Sequence, residues 1–281
     1  MDRRLPAAVG ALLLLLLAWW AVTLQHGGVE AGEVRSLSRY RIEKLPARLP
    51  EAWRHQLDQA LAAAPAVRLL DPQAPAAAAA ALRSLPWIDP DSVEARLQLP
   101  DGIAVDFRPR RLGVAVLCRG RYTVVALDGT VLPEGLPTAS LAFLARVPLA
   151  DPEALPEPGL RVADPLVQEA LRAVYEFDAA REVLAGDLVA IERQPGYPPA
   201  TPGVPPALAF VTRRGCRLHW GRSAASRDPF GVPAELKLRR LAAVLRFRPG
   251  LAGLAHVVLD GPRVRLYDQD GGEVLPPPEL R

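Results

Sequence analysis

Cysteine and histidine are scarce: the 281 residues contain Cys118 and Cys216 and four histidines, His26, His55, His219 and His256. An oxidising compartment would permit a bond between the two cysteines. Each lies in an apolar or mixed strand-like run, however, and the two are far apart in sequence, so two separate half-buried thiols are expected. None of these residues stands at metal-ligand spacing, and no metal is predicted. Charge of one sign is also lacking. A net +3 with basic and acidic side chains interleaved offers no concentrated field for nucleic acid. A glycine-rich phosphate loop, a nucleophile elbow, an HExxH helix and a Cys-His constellation are all missing, and Gly221-Arg222-Ser223 lacks the second glycine of an elbow. No catalytic residue, cofactor or small-molecule substrate is predicted, and the chain is expected not to be an enzyme.

What the chain does have is one long apolar run. Residues 7–24, AAVGALLLLLLAWWAVTL, carry no charge, and about 18 or more such residues are the length a helix needs to cross a hydrocarbon core. Trp19 and Trp20 suit an aromatic belt at the membrane interface, and Arg3 and Arg4 before the run leave the amino terminus in the cytoplasm. A cleaved secretory signal is the competing reading. Its apolar region is normally shorter, and Val29-Glu30-Ala31 makes a poor cleavage site. A short cytoplasmic end (1–6), a single transmembrane helix (7–24) and a linker (25–36) are therefore predicted, with the rest of the chain exported.

The 30 prolines fall at segment ends and in loops, where they punctuate structure. Between them, 40–45 reads as a strand. Residues 51–64 form a helix with Trp53, Leu57, Ala60, Leu61 and Ala64 on one stripe, and the alanine-rich 75–84 forms a second helix. Strands follow at 92–97, 103–107, 113–118, 122–127 and 130–132, with a tight turn at Asp128-Gly129. Further on, Asp164 caps a helix that starts at Pro165 and runs to 184. Strands at 187–192, 207–212 and 216–220 follow, the last two joined around Arg213-Arg214-Gly215. In the helix 235–246, Leu238, Leu241, Ala242 and Leu245 share a face, leaving Lys237, Arg239, Arg240 and Arg246 on a solvated basic one.

The wording between 82 and 132 resembles the FtsQ/DivIB family of bitopic bacterial cell-division proteins. LRSLPWI at 82–88 is similar to the family's leucine-x-x-x-proline-tryptophan-valine stretch. SVEAR at 92–96 and PDGIAV at 100–105 are similar to its next two strands, RRLGVA at 110–115 to its charged pair with valine-alanine, and YTVVALDGTVL at 122–132 to its hairpin. Gly113 stands where proline is usual in that family. The resemblance implies an α+β fold with a single N-terminal transmembrane helix, a POTRA-like domain at 37–109, then a mainly antiparallel β domain with flanking helices at 110–275 and a tail at 276–281. Trp87 reads as a core or domain-junction anchor.

By the same resemblance the chain is a non-catalytic scaffold at the division site of the inner membrane. It would recruit FtsB/FtsL-type partners and help control septal peptidoglycan synthesis. The final strand pair, 257–259 and 263–267, is the expected docking place. A last strand often lies at a sheet edge, Pro262 suits an edge, and an unpaired edge is a template for an incoming strand. Arg263, Arg265 and Tyr267 would face one side and Val264 and Leu266 the other. The partner-binding residues expected are His256, Val258, Arg263, Val264, Arg265, Leu266 and Tyr267. An exported POTRA-containing module of a secretion or envelope-assembly system is the alternative.

Overall fold

A computed structural model of the chain describes residues 33–37, 40–46, 49–64, 73–98, 102–118, 120–136, 144–149, 155–177, 187–195, 204–226 and 231–278. The expected anchor at 7–24 lies outside the described residues, and among these no helix is long and apolar enough to cross a membrane. Among the described residues the fold is α+β, with four α-helices and two mixed sheets.

The first sheet has the order β1-β2-β4-β3, built from β1 (Glu33–Leu37), β2 (Tyr40–Leu45), β3 (Glu94–Gln98) and β4 (Gly102–Asp106). β1 falls largely in the stretch read as a linker to residue 36; it pairs antiparallel with β2, whereas β2 and β4 run parallel. Between β2 and β3 lie α1 (Glu51–Ala63) and α2 (Ala74–Arg83). α1 buries Trp53, Leu57 and Leu61, spaced four apart, so one helical stripe meets the core. α2 buries Ala74, Ala78, Ala79 and Leu82, small side chains that let its backbone approach closely.

The second sheet has nine strands in the order β13-β12-β11-β10-β9-β8-β7-β5-β6. They are β5 (Leu112–Cys118), β6 (Arg121–Ala126), β7 (Arg146–Pro148), β8 (Leu188–Arg193), β9 (Leu208–Thr212), β10 (Arg217–Gly221), β11 (Leu254–Val258), β12 (Arg265–Asp268) and β13 (Glu273–Val274). Three neighbouring pairs are parallel, β5 with β7, β7 with β8 and β10 with β11, so the sheet is more mixed than the mainly antiparallel one expected. The last two of these parallel pairs need helical crossovers. α3 (Pro165–Phe177) links β7 to β8, and α4 (Ala234–Phe247) links β10 to β11.

Both helices cover one face of this sheet. Their apolar side chains close over Val114, Val116, Val147, Ile191, Phe210, Leu218, Trp220, Val257 and Leu266 in a single core. Phe177, Phe210 and Trp220 meet edge-on or tilted at its centre, with ring centroids 4.9 to 5.7 Å apart. As expected, Asp164 caps α3, its Oδ1 accepting from Leu166 N and Val167 N.

α4 departs from the expectation. Of the expected face, Leu241 is buried and Leu238 and Leu245 pack partly buried against the core, but Ala242 is exposed and the fully buried stripe takes in Lys237, Leu241, Ala243 and Val244. The ammonium of Lys237 donates to Arg222 O and lies 5.1 Å above the Trp220 ring, which gives the buried charge acceptors that water would otherwise supply. Nor is Arg240 solvated: it donates to the carbonyls of Leu259, Gly261 and Pro262 and pins that turn. The segment 130–132 forms isolated bridges instead of a strand, but the turn before it is as expected, with Gly129 at φ 89.

The opposite face of the large sheet is used twice. At the β5–β6 end, Ala115, Val124 and Ala126 join the core of the smaller sheet together with Trp53, Trp87 and Phe107. The connection is tightened at the junction, where Arg110 N donates to Trp87 O, Arg110 Nε to Pro86 O, and Arg110 also pairs with Asp128. Cys216 is a buried thiol and Cys118 is half-buried.

Candidate functional site

Beyond β5 and β6, the face that carries Ala115 continues without either helix. Strand register defines what stands on it, because directly paired residues point to the same side. One row runs from Ala115 through Arg146, Ala190, Val211, Arg217 and His256 to Tyr267 and Glu273. The next runs from Glu192 through Ala209, His219 and Val258 to Arg265. Core residues alternate with both rows, so the helices take one face and these side chains the other.

Of the expected partner-binding residues, His256, Val258, Arg265 and Tyr267 come together on this face and line one open hollow of about 460 Å³. Val264 and Leu266 are buried on the other side, as the alternation requires. Arg263 is exposed in the turn before β12, which begins at Arg265 rather than Arg263. β12 is not the edge strand. β13 adds outside it through Leu266 opposite Val274 and Tyr267 opposite Glu273, so the free edge belongs to a strand of two residues. Pro262 lies in the turn between β11 and β12, and not in a ladder.

The hollow also contains Gln194, Pro195, His219, Asp260 and Gly261, none of which was expected to be there. His219 reaches it because the α4 crossover sets β10 parallel to β11. That placement was available from the strand-helix-strand order, but pairing by sequence neighbourhood alone leaves the two histidines unrelated. His219 Nε2 and His256 Nδ1 stand 3.0 Å apart, with ring centroids at 5.2 Å. Burial, and then the neighbouring His256, hold the His219 imidazole below its usual range. Gln194 Nε2 contacts Asp260 Oδ2 at 3.4 Å. Gly221 leaves the room that Asp260 fills, since a Cβ there would come within 2.6 Å of the Asp260 Cβ. Arg217 lies 3.7 Å from Glu192 at the far side.

A second polar cluster sits beneath the helices. Glu169, fully buried on α3, accepts from Ser223 N, Ser226 Oγ and Arg172 Nη1. Glu176, two turns on, accepts from Ser223 Oγ, Ala224 N and Trp220 Nε1. The two carboxylates take up the donors of the loop after β10 and fasten it to α3. Ser223 is one of those donors, and its hydroxyl faces a carboxylate rather than an imidazole. Among the described residues no three His, Cys, Asp or Glu side chains converge as a metal cluster.

No protein-family model matches the chain, and no curated protein matches it.

Proposed function

We propose that the chain is a non-catalytic, bitopic scaffold of the bacterial division machinery that recruits FtsB/FtsL-type partners outside the cytoplasmic membrane. In this reading residues 7–24 anchor it with the amino terminus in the cytoplasm, 37–109 form a POTRA-like unit, and 110–275 form the β domain. The motifs at 82–132 supply the family resemblance. The observation that carries the docking assignment is the grouping of His256, Val258, Arg265 and Tyr267 on an uncovered sheet face beside a two-residue edge strand. A partner segment adding at that edge would gain main-chain hydrogen bonds from the ladder and side-chain contacts from the face.

The test is co-purification of FtsB/FtsL-type proteins with the full chain from cell membranes, comparing the natural sequence with Arg265→Ala and Tyr267→Ala. Both side chains leave the apolar side of β12 untouched, so the fold is retained. Loss of the partners in both variants is the expected outcome; undiminished recovery with both would reject this docking face.

A further inference from the structure

We propose that His219 and His256 form a two-imidazole half-site for a divalent transition cation of the copper(II) or nickel(II) type. The placement is built into the sheet. β10 and β11 are parallel, with Arg217 opposite His256 and His219 opposite Val258, so the two imidazoles are diagonal neighbours on one face. Ladder hydrogen bonds hold the two backbones in place, so chelation has only the two rings to order.

A bite that keeps the present nitrogen separation would be close to a right angle. Two ring nitrogens at ligand distances of about 2.0–2.1 Å from a cation and 3.0 Å from each other subtend an angle of about 90–100° at it. A tetrahedral ion would hold the same nitrogens about 3.3–3.4 Å apart. Angles near a right angle belong to square-planar and tetragonal ions, which among imidazole-binding metals means copper(II) and nickel(II) before zinc. Binding needs each ring to tilt so that its lone pair turns into the hollow. The ring that now donates moves its proton to its other nitrogen, so neutral imidazoles release no net proton.

The surroundings favour a cation with open coordination positions. Gln194 is 8 % exposed and lines the same hollow, yet its Oε1 has no hydrogen-bond partner. A buried carbonyl oxygen left unpaired is destabilising, and a water on the bound ion would donate to it. Asp260 also borders the hollow, with a charge that favours positive charge at His219. The opposing charges are Arg217 and Arg265, and Arg217 has Glu192 3.7 Å away.

The experiment titrates the tag-free full chain with copper(II), nickel(II) and zinc(II) salts and records the copper EPR spectrum. The expected result is a single bound equivalent of copper with a tetragonal spectrum split by two imidazole nitrogens, with zinc binding more weakly. His219→Gln and His256→Gln should each weaken copper binding by about tenfold or more, since losing even an outer-shell partner of a ligand costs that much, whereas His55→Gln on α1 should leave it unchanged. Val258→His puts a third imidazole opposite His219 on the same face and should tighten binding by about tenfold. The proposal is overturned if the natural chain takes up no copper, or if both glutamine variants bind it as the natural chain does. Should circular dichroism find the glutamine variants misfolded, Val258→His decides, and no tightening there overturns it.

Discussion

Trp87 lies flat on Trp53, with ring centroids 5.2 Å apart and planes 11° from parallel, and Phe107 meets Trp87 edge-on at 5.7 Å. Trp87 Nε1 donates to Gln56 Oε1 at 3.0 Å. The stack joins α1, the loop before β3 and the end of β4, and its core continues into Ala115 and Val124 of the large sheet. Trp87 is thus fully buried in the core, one of the two roles expected from the sequence, a core or a domain-junction anchor.

Trp87→Ala removes a fully buried ring and should cost about 3–5 kcal/mol of unfolding free energy. Chemical denaturation monitored by circular dichroism checks it. A loss below about 1 kcal/mol would mean the stack contributes little beyond a surface contact.

Glu169→Ala leaves the donors of Ser223 and Ser226 facing an apolar void. Because the carboxylate is completely buried, the expected loss is about 3–5 kcal/mol, typical of breaking a buried charged network. Its neighbour Arg172 has a side chain 44 % exposed, and Arg172→Ala should cost no more than about 1 kcal/mol. Equal losses from the two substitutions would contradict the buried-network account.

Gly113 in β5 has no room for a side chain. A Cβ there would come within 2.5 Å of Leu171 Cδ2 on α3 and 2.9 Å of the Val125 carbonyl. Gly113→Ala should therefore destabilise by about 1–3 kcal/mol through overpacking. Adding Leu171→Ala should relieve only the side-chain clash, since the carbonyl stays. Thermal unfolding of the single and double variants tests both statements.

Burial pushes the Cys216 thiol up to about 12, so it stays protonated and unreactive at every pH the fold ordinarily meets. Cys118 is half-buried on the large sheet. Ellman titration near about pH 8 should count one reactive thiol in the folded chain and two after denaturation. Two fast thiols in the folded chain would place Cys216 at the surface.

Much of the chain order was legible because its signals are local. The α1 stripe, the Asp164 cap, the Asp128-Gly129 turn and the in-out alternation of Val264 to Tyr267 each depend on residues a few positions apart, and all are present in the fold. Lys237 was misread because helical spacing assigns faces by hydropathy, and a lysine whose ammonium finds a carbonyl and an aromatic face can occupy the inner one. The site was half legible. His256, Val258, Arg265 and Tyr267 share a strand pair and Asp260 lies in its turn, but His219 arrives through the α4 crossover and Gln194 from the end of β8, which no local pattern announces. β13 was missed for the simplest reason: two residues are too few for an alternation.

The strand order of the large sheet bears on how the chain is made. After the β5–β6 hairpin, β7 adds beside β5, and every later strand through β13 adds beside the one synthesised just before it. No strand has to wait for a partner further along the chain. The sheet can therefore grow in one direction as residues emerge, each new strand covering the edge left by the last. Assembly then ends at Glu273 and Val274, and the part of the sheet that lines the hollow is the last to be completed.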